Sequence, residues 1–283
     1  MQKRYRKTDV WSMKIYSLML IKNEEDIIAS TLQAAAEWSD KLIVLDNGST
    51  DRTWEIVNEM AASDPRIIPF AQDERPFQIG LRALMFDAFK HEMSSDDWWC
   101  IRMDADEFYE ESPREFLQNI PKRYKQVSKA SIDFMITEED VQEFIFTGNF
   151  ETDKDNIKYY NPKTWAEVRF LRHSARLIWD IDQFKPSPCG LTYPKQINVL
   201  HYQFRSPQQM QKRFEIRQKA REEGCGSFNH EKGSSWKEYL RKRELLTLYD
   251  PEQGFQLQGN RNKFNKLHTR IFKSLFTAFG YYN

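Results

Sequence analysis

Residues 98–108 read Trp-Trp-Cys-Ile-Arg-Met-Asp-Ala-Asp-Glu-Phe. An aromatic and apolar run ends abruptly in two carboxylates, Asp104 and Asp106. The run is six residues long, bounded by polar segments and rich in strand formers, so it reads as a buried β-strand. The two acids then fall just past its carboxyl end. Carboxylates two apart in such a place can share one turn.

Three segments upstream have the same character. Residues 14–21 (KIYSLMLI), 41–46 (KLIVLD) and 66–70 are apolar and strand-like. Helical spacing fills the intervals over residues 24–38, 51–62 and 78–93. Ile27, Ile28, Leu32 and Ala35 share one stripe of the first, and Thr50 or Asp51 is placed to cap the second. Strands alternating with helices of this length imply βαβ units and a parallel sheet. Such sheets bind ligands outside the carboxyl ends of their strands. Lys22-Asn23-Glu24, Asp46-Asn47-Gly48-Ser49 and Asp104-Ala105-Asp106 all occupy such ends, so they should meet at one edge. The fold class expected is α/β, with a doubly wound, mostly parallel sheet flanked by helices and a C-terminal helical extension.

Beyond residue 110 the pattern loosens. Strands are expected at 131–136, 168–171, 175–179 and 196–202, a loop at 147–164, and helices at 208–223, 235–249 and 264–279. A boundary near Arg205 would separate a sheet domain (1–205) from the helical extension (206–283). No repeat or low-complexity segment is visible.

Lys+Arg and Asp+Glu both number 42 in 283 residues, so a net charge of zero gives no reason to expect nucleic acid as a partner. The apolar fraction, 40%, supports a sizeable core, and some of the many aromatic rings could stack on sugar faces. Cys100, Cys189 and Cys225 form no disulfide framework, which suits a reducing cytoplasm. The basic amino terminus is followed by too short an apolar run for a signal or a membrane span.

Hard divalent cations take oxygen ligands of the kind that Asp104 and Asp106 offer. Mg²⁺ or Mn²⁺ held there would bridge two phosphates and stabilise the charge on a departing nucleoside diphosphate. In the second cluster Gly48 permits a tight turn, while Asp46 and Asn47 can hydrogen-bond a base or ribose. The helix following Asp51 points its amino end towards the same crevice.

Four segments in order, SLMLIKNEEDI (17–27), KLIVLDNGSTDRT (41–53), IGLRALMFDAF (79–89) and RMDADEF (102–108), resemble the family 2 glycosyltransferases, which have the GT-A fold. The resemblance covers about residues 13–110, then thins to His201 and the following HYQFRS. It implies a metal-dependent transferase that moves a sugar from a UDP-, dTDP- or GDP-sugar to a glycan or lipid-linked acceptor, by inversion in a single displacement. It also implies that Asn23, Glu24, Asp46 and Asn47 lie at the base and ribose. Family members often carry a second aspartate where this chain has Asn47, which leaves the base open. Arg82 would approach the donor. Asp104 would contact the ribose or sugar, through the metal or directly, and Asp106 and His201 would bind the metal.

Inversion also needs a carboxylate to take the acceptor proton. Asp182 is the first candidate and Asp180 the second, with Glu138, Glu139 and Asp140 as a further acidic cluster. Three rivals remain: a sugar nucleotidyltransferase, whose Gly-rich loop after the first strand is replaced here by IKNEED; an Asp-x-Asp phosphatase, whose nucleophilic Asp belongs on the first strand whereas this pair follows the fourth; and a non-catalytic nucleotide-sugar-binding module. The last helix gathers Leu267, Ile271, Leu275, Phe276 and Phe279 on one face. That face is expected either to dock on the catalytic domain or to make a peripheral membrane contact.

Overall fold

The computed structural model describes residues 13–222, 235–258 and 267–282. Cys225, the basic amino terminus, residue 223 and residues 264–266 of the expected final helix lie outside them.

Strand β1 (Ile15–Ile21) is buried along its whole length, and its alternate side chains enter two different cores. Ile15, Met19 and Ile21 face one way; Tyr16, Leu18 and Leu20 face the other. Strand β2 (Lys41–Asp46) divides likewise, Leu42 and Val44 against Ile43 and Leu45. Period-two alternation with both faces apolar is what a strand covered on both sides requires. Helices α1 (Ile28–Ala36) and α2 (Thr53–Ser63) cover the first face through Ile28, Leu32, Ala35 and Val57. Helix α3 (Arg82–Phe89) covers the second through Ala83, Met85 and Phe86. With β3 (Ile67–Gln72) and β4 (Trp98–Met103), the strands run parallel in the order β3-β2-β1-β4. The α/β expectation holds, and the three polar clusters do end strands at one edge.

The second half of the sheet is mixed. After β5 (Glu107–Tyr109) and α4 (Pro113–Gln118) comes β6 (Tyr124–Met135), longer than the segment read as a strand. Helices α5 (Glu138–Glu143) and α6 (Phe150–Asp153) lead to β7 (Tyr159–Tyr160) and β8 (Trp165–Arg172). β8 lies between β4 and β6, antiparallel to both. Strands β9 (Leu191–Thr192) and β10 (Ile197–His201) run parallel to β6, and β10 also pairs antiparallel with β5. That register sets His201 opposite Glu107. Helix α7 (Pro207–Glu222) follows, then β11 (Thr247–Leu248), paired with β7, and helix α8 (Leu267–Ala278). A third apolar cluster draws from both sides of Arg205, including Phe134, Tyr160, Phe204 and Met210, with Tyr239 and Phe255 against it.

Four expectations are corrected. Residues 175–179 are not a strand but open with a turn at 175–176, and among the described residues they pair only through the Ile178–Ser187 bridge; Leu177 and Trp179 alternate because both are buried, and alternation reports burial, not pairing. Residues 147–164 are not all loop but contain α6 and β7. Residues 235–249 are not a helix. They form short 3₁₀ turns at Trp236–Tyr239 and Arg243–Leu245 before β11, since strand pairing with β7 and contacts to the third cluster override local helical preference. Helix α2 begins at Thr53 with Arg52 at its cap, although Asp51 Oδ1 does accept from the Thr53 amide (3.0 Å).

Gly80 sits where the chain turns into α3. A Cβ there would lie 1.8 Å from the Ile181 carbonyl oxygen and 2.6 Å from its carbon. Backbone cannot yield as a flexible side chain does. Gly80→Ala should therefore lower stability by about 2 kcal/mol or more, as overpacking of a rigid site does. A urea-denaturation midpoint unchanged from wild type would contradict this.

Candidate active site

The loops after β1 and β2 lock together at the edge. Asn23 adopts φ +55°, a region asparagine enters more readily than most residues. In that conformation its amide donates to Ser49 Oγ (2.9 Å), and its Oδ1 accepts from the Thr50 amide (2.7 Å). The Glu24 amide donates to Thr53 Oγ1 (2.8 Å). Gly48, at φ +76°, makes the turn that brings the Ser49 amide onto Asp46 Oδ1 (2.7 Å). Asn47 Nδ2 donates to the carbonyls of Asp73 and Arg75, both at 2.8 Å. This leaves Asp46 Oδ2 and Asn47 Oδ1 buried with no donor among the described residues. Two orphaned acceptors side by side are costly unless something donates to them. With its NH₂ group committed to the backbone, Asn47 presents only an acceptor.

Asp104 lies in a cage of arginines. Its Oδ1 accepts from Arg82 Nη2 (2.9 Å), and its Oδ2 from Arg102 Nε (3.1 Å) and Arg169 Nη2 (3.5 Å). Burial opposes its charge, yet Arg102, Arg169 and Arg82 together hold the carboxyl far below the usual range. Burial pulls the Arg82 guanidinium down to about 10, so it stays charged at neutral pH. Beneath Asp104, Arg169 and Lys129 both pair with Glu107, and Arg102 reaches Glu167 Oε1 (2.6 Å).

Asp106 faces a different set of groups. Its Oδ2 lies 3.5 Å from His201 Nε2, 3.4 Å from Arg213 Nη1 and 4.0 Å from Arg205 Nη1. Burial works against its charge, and His201, Arg213 and Arg205 override burial to keep it ionised. His201 Nδ1 lies 2.7 Å from Asp133 Oδ1. An ionised carboxylate only accepts, so Nδ1 carries the proton and Nε2 is the atom turned to Asp106. Although burial disfavours its charge, Asp106 and Asp133 push His201 up to about 9. A carboxylate behind an imidazole whose far nitrogen meets another carboxylate is an arrangement that metal ligands commonly have. Among the described residues no group of three or more His, Cys, Asp or Glu forms a ready-made metal cage. Mg²⁺ and Mn²⁺ do not need one: one or two protein donors suffice when phosphate oxygens and water complete the shell. The donor set of Asp106 and His201 fits such an ion held jointly with a diphosphate, the ion taking the place of the proton that Asp106 and Asp133 otherwise keep on Nε2.

Sequence reading missed the cations here. Arg205, from the HYQFRS segment, is almost wholly buried and bonds Asp26 through Nε and Nη2 (2.7 and 2.8 Å) and Glu24 Oε2 through Nη2 (2.6 Å). Glu24 thus lies beside Asp106, its carboxylate committed to Arg205. Helix α7 turns Lys212 to Asp51 (2.7 Å) and Arg213 to Asp106, so these α7 cations face the site and not only water. Asp133, Arg102 and Arg169 carried no local signal, since each is an ordinary strand residue until the sheet assembles.

The carboxylates considered for the acceptor proton are scattered. Asp180 and Asp182 are exposed on a turn closed by the Gln183 amide bonding the Asp180 carbonyl (2.9 Å). That turn abuts Gly80, and Phe184 next to it lies under the Arg102 guanidinium (5.7 Å to the ring centre), so the loop borders the Asp104 side. Asp140 is buried in a capping box with Thr137 and bonds Arg243 (2.6 Å); Glu139 accepts from the Arg243 amide. Both hold structure together, and Glu138 beside them is exposed.

Arg205→Met should cost about 3–5 kcal/mol by leaving Glu24 and Asp26 unanswered in a buried place. Adding Glu24→Gln should restore part of that loss, and urea titrations of the two variants measure both effects. The family model described as glycosyl transferase family 2 matches residues 18–169, just over half the chain. No curated protein matches it. Among solved structures, the mannosyltransferase PcManGT from Pyrobaculum calidifontis, in complex with GDP-Man and Mn2+, is similar at 14% identity with a TM-score of 0.33, over 60% of this chain. The match spans 48% of that protein's length. With three polar clusters ending strands at one sheet edge and the family model across them, the chain belongs to glycosyl transferase family 2.

Proposed function

We propose that the chain transfers a sugar from a nucleoside-diphosphate sugar to a hydroxyl of a glycan or lipid-linked acceptor. The observation that carries this reading is the row of groups along the carboxyl ends of β1, β2 and β4. Orphaned acceptors at Asp46 and Asn47 suit the N–H of a base and a ribose hydroxyl. Asp106 with His201, and the guanidinium groups of Arg205 and Arg213, suit a diphosphate and a divalent cation. Asp104, fixed by Arg82 and Arg102, is oriented to meet the sugar between them. Asn47 favours a base that donates at that position, as a pyrimidine imide or a guanine N1–H does.

Asp106 and His201 would hold Mn²⁺ or Mg²⁺. When bound, the ion supplies charge stabilisation for the diphosphate as it leaves. The chain's own residues do the rest. Arg213 and Arg205 add positive charge at the same place and need no reorganisation as the bond breaks. Asp133 holds the His201 ring through Nδ1–H, keeping Nε2 aimed at Asp106. For inversion, Asp182, with Asp180 as the alternative, takes the acceptor proton from the loop that borders Arg102. A catalytic reading is favoured over a bare binding module because the acids at the tips are ionised and positioned separately, Asp104 by arginines and Asp106 by His201.

Asp106→Ala should abolish metal-dependent donor hydrolysis and transfer while leaving the fold intact by circular dichroism. Full activity of that variant with a chelator present would sink the proposal. Asp182→Asn should lower kcat by a factor of about 10²–10⁴ with donor binding intact. The same loss in Asp180→Asn alone would move the role to Asp180. Thermal-shift screening of UDP-, dTDP- and GDP-sugars with Mn²⁺ identifies the donor, since a ligand bound to the native state raises its stability.

A further inference from the structure

Helix α8 is attached by its polar side. Thr269, Lys273 and Thr277, four residues apart, form the stripe turned towards the rest of the molecule, each half-buried. Lys273 Nζ donates to the Gly190 carbonyl (3.0 Å), and just past the helix Tyr282 is buried while Arg176 donates to the Tyr281 carbonyl (3.2 Å). The opposite side shows Leu267, Ile271, Phe272, Leu275, Phe276 and Phe279, each at least 46% exposed. No residue of the helix is buried. The expected docking of this face on the catalytic domain is not formed. A helix that seats its threonines and lysine and turns six large apolar side chains outward has its amphipathic pattern reversed relative to ordinary surface helices. Contiguous apolar surface of this kind marks an interaction site.

We propose that this face of α8 lies in the surface of an anionic lipid bilayer, parallel to its plane. Twelve residues give a helix of about 18 Å, and no helix among the described residues is long and apolar enough to cross a membrane. An interfacial position remains. Charge selects the occupant. From residue 253 to residue 283 the sequence has five Lys or Arg (Arg261, Lys263, Lys266, Arg270, Lys273) and no Asp or Glu. Two copies meeting through this face would bring two purely basic segments together, which is repulsive. A layer of anionic headgroups attracts the same charges, and each basic residue other than Lys273, which is turned to the Gly190 carbonyl, strengthens binding by about fivefold. Across a small cavity shared with Lys273, the neighbouring loop exposes Phe184, a further apolar side chain beside the helix.

The test is flotation of the full chain with phosphatidylcholine vesicles, with and without phosphatidylglycerol. Wild type should float with the phosphatidylglycerol vesicles, less with phosphatidylcholine alone, and be partly released by high salt. The variant Ile271→Ser/Leu275→Ser/Phe279→Ser should lose vesicle binding by at least about tenfold, with circular dichroism and melting little changed because each of these side chains is more than half exposed. Three results would overturn the proposal: no flotation of wild type with phosphatidylglycerol vesicles, equal flotation of the variant, or a dimer by light scattering that the triple substitution dissolves. Vesicle binding is read without turnover, so its failure is separate from failure of the glycosyl-transfer proposal.

Discussion

Buried positive charge organises this molecule. Arg82, Lys129, Arg169 and Arg205 are among its most deeply buried side chains, and each meets a carboxylate close to a strand end. A lone charge in such a place costs several kcal/mol, so each cation constrains which element can lie beside it. Arg169 on β8 and Lys129 on β6 must adjoin Glu107, which fastens the antiparallel half of the sheet to the turn after β4. Arg205 must adjoin Glu24 and Asp26, which draws the chain after β10 onto the loop after β1. The constraint also runs in reverse. Acidic clusters gathered at one edge by a parallel sheet would repel one another without these cations between them.

The same pairing separates two aspartates only two residues apart. Asp104 is surrounded by guanidinium groups from α3, β4 and β8, which fix both of its oxygens. Asp106 looks the other way, to His201 on β10 and Arg213 on α7. One is held rigidly, and the other shares its oxygen with groups suited to a cation and a diphosphate. The division of labour comes from the neighbours, since the two side chains are chemically identical.

Much of the parallel half was legible because its causes are local. Buried strands announce themselves as unbroken apolar runs, and DNGSTD and NEED sit where such runs stop. The antiparallel half was less so. The apolar alternation at 175–179 resembles a strand, but among the described residues it finds no pairing beyond Ile178 and Ser187. Residues 235–249 have helix-forming composition, yet β11 finds β7 and the aromatic side chains enter a cluster built from residues a hundred positions earlier. Arg205 was visible only as part of HYQFRS, for its partners lie about 180 residues away.

The sequence by itself determined the α/β class, the strands and helices of the first hundred residues, and the edge at which Asn23, Asp46, Asn47, Asp104 and Asp106 would assemble. These follow from hydrophobic period and turn chemistry, which act over a few residues. Only the tertiary structure decided which cations answer those acids, that Asp133 orients His201, that Lys212 and Arg213 of α7 face the site, and that α8 turns its apolar side outward. Those outcomes depend on charge pairing and packing between segments far apart in the chain, which no local pattern encodes.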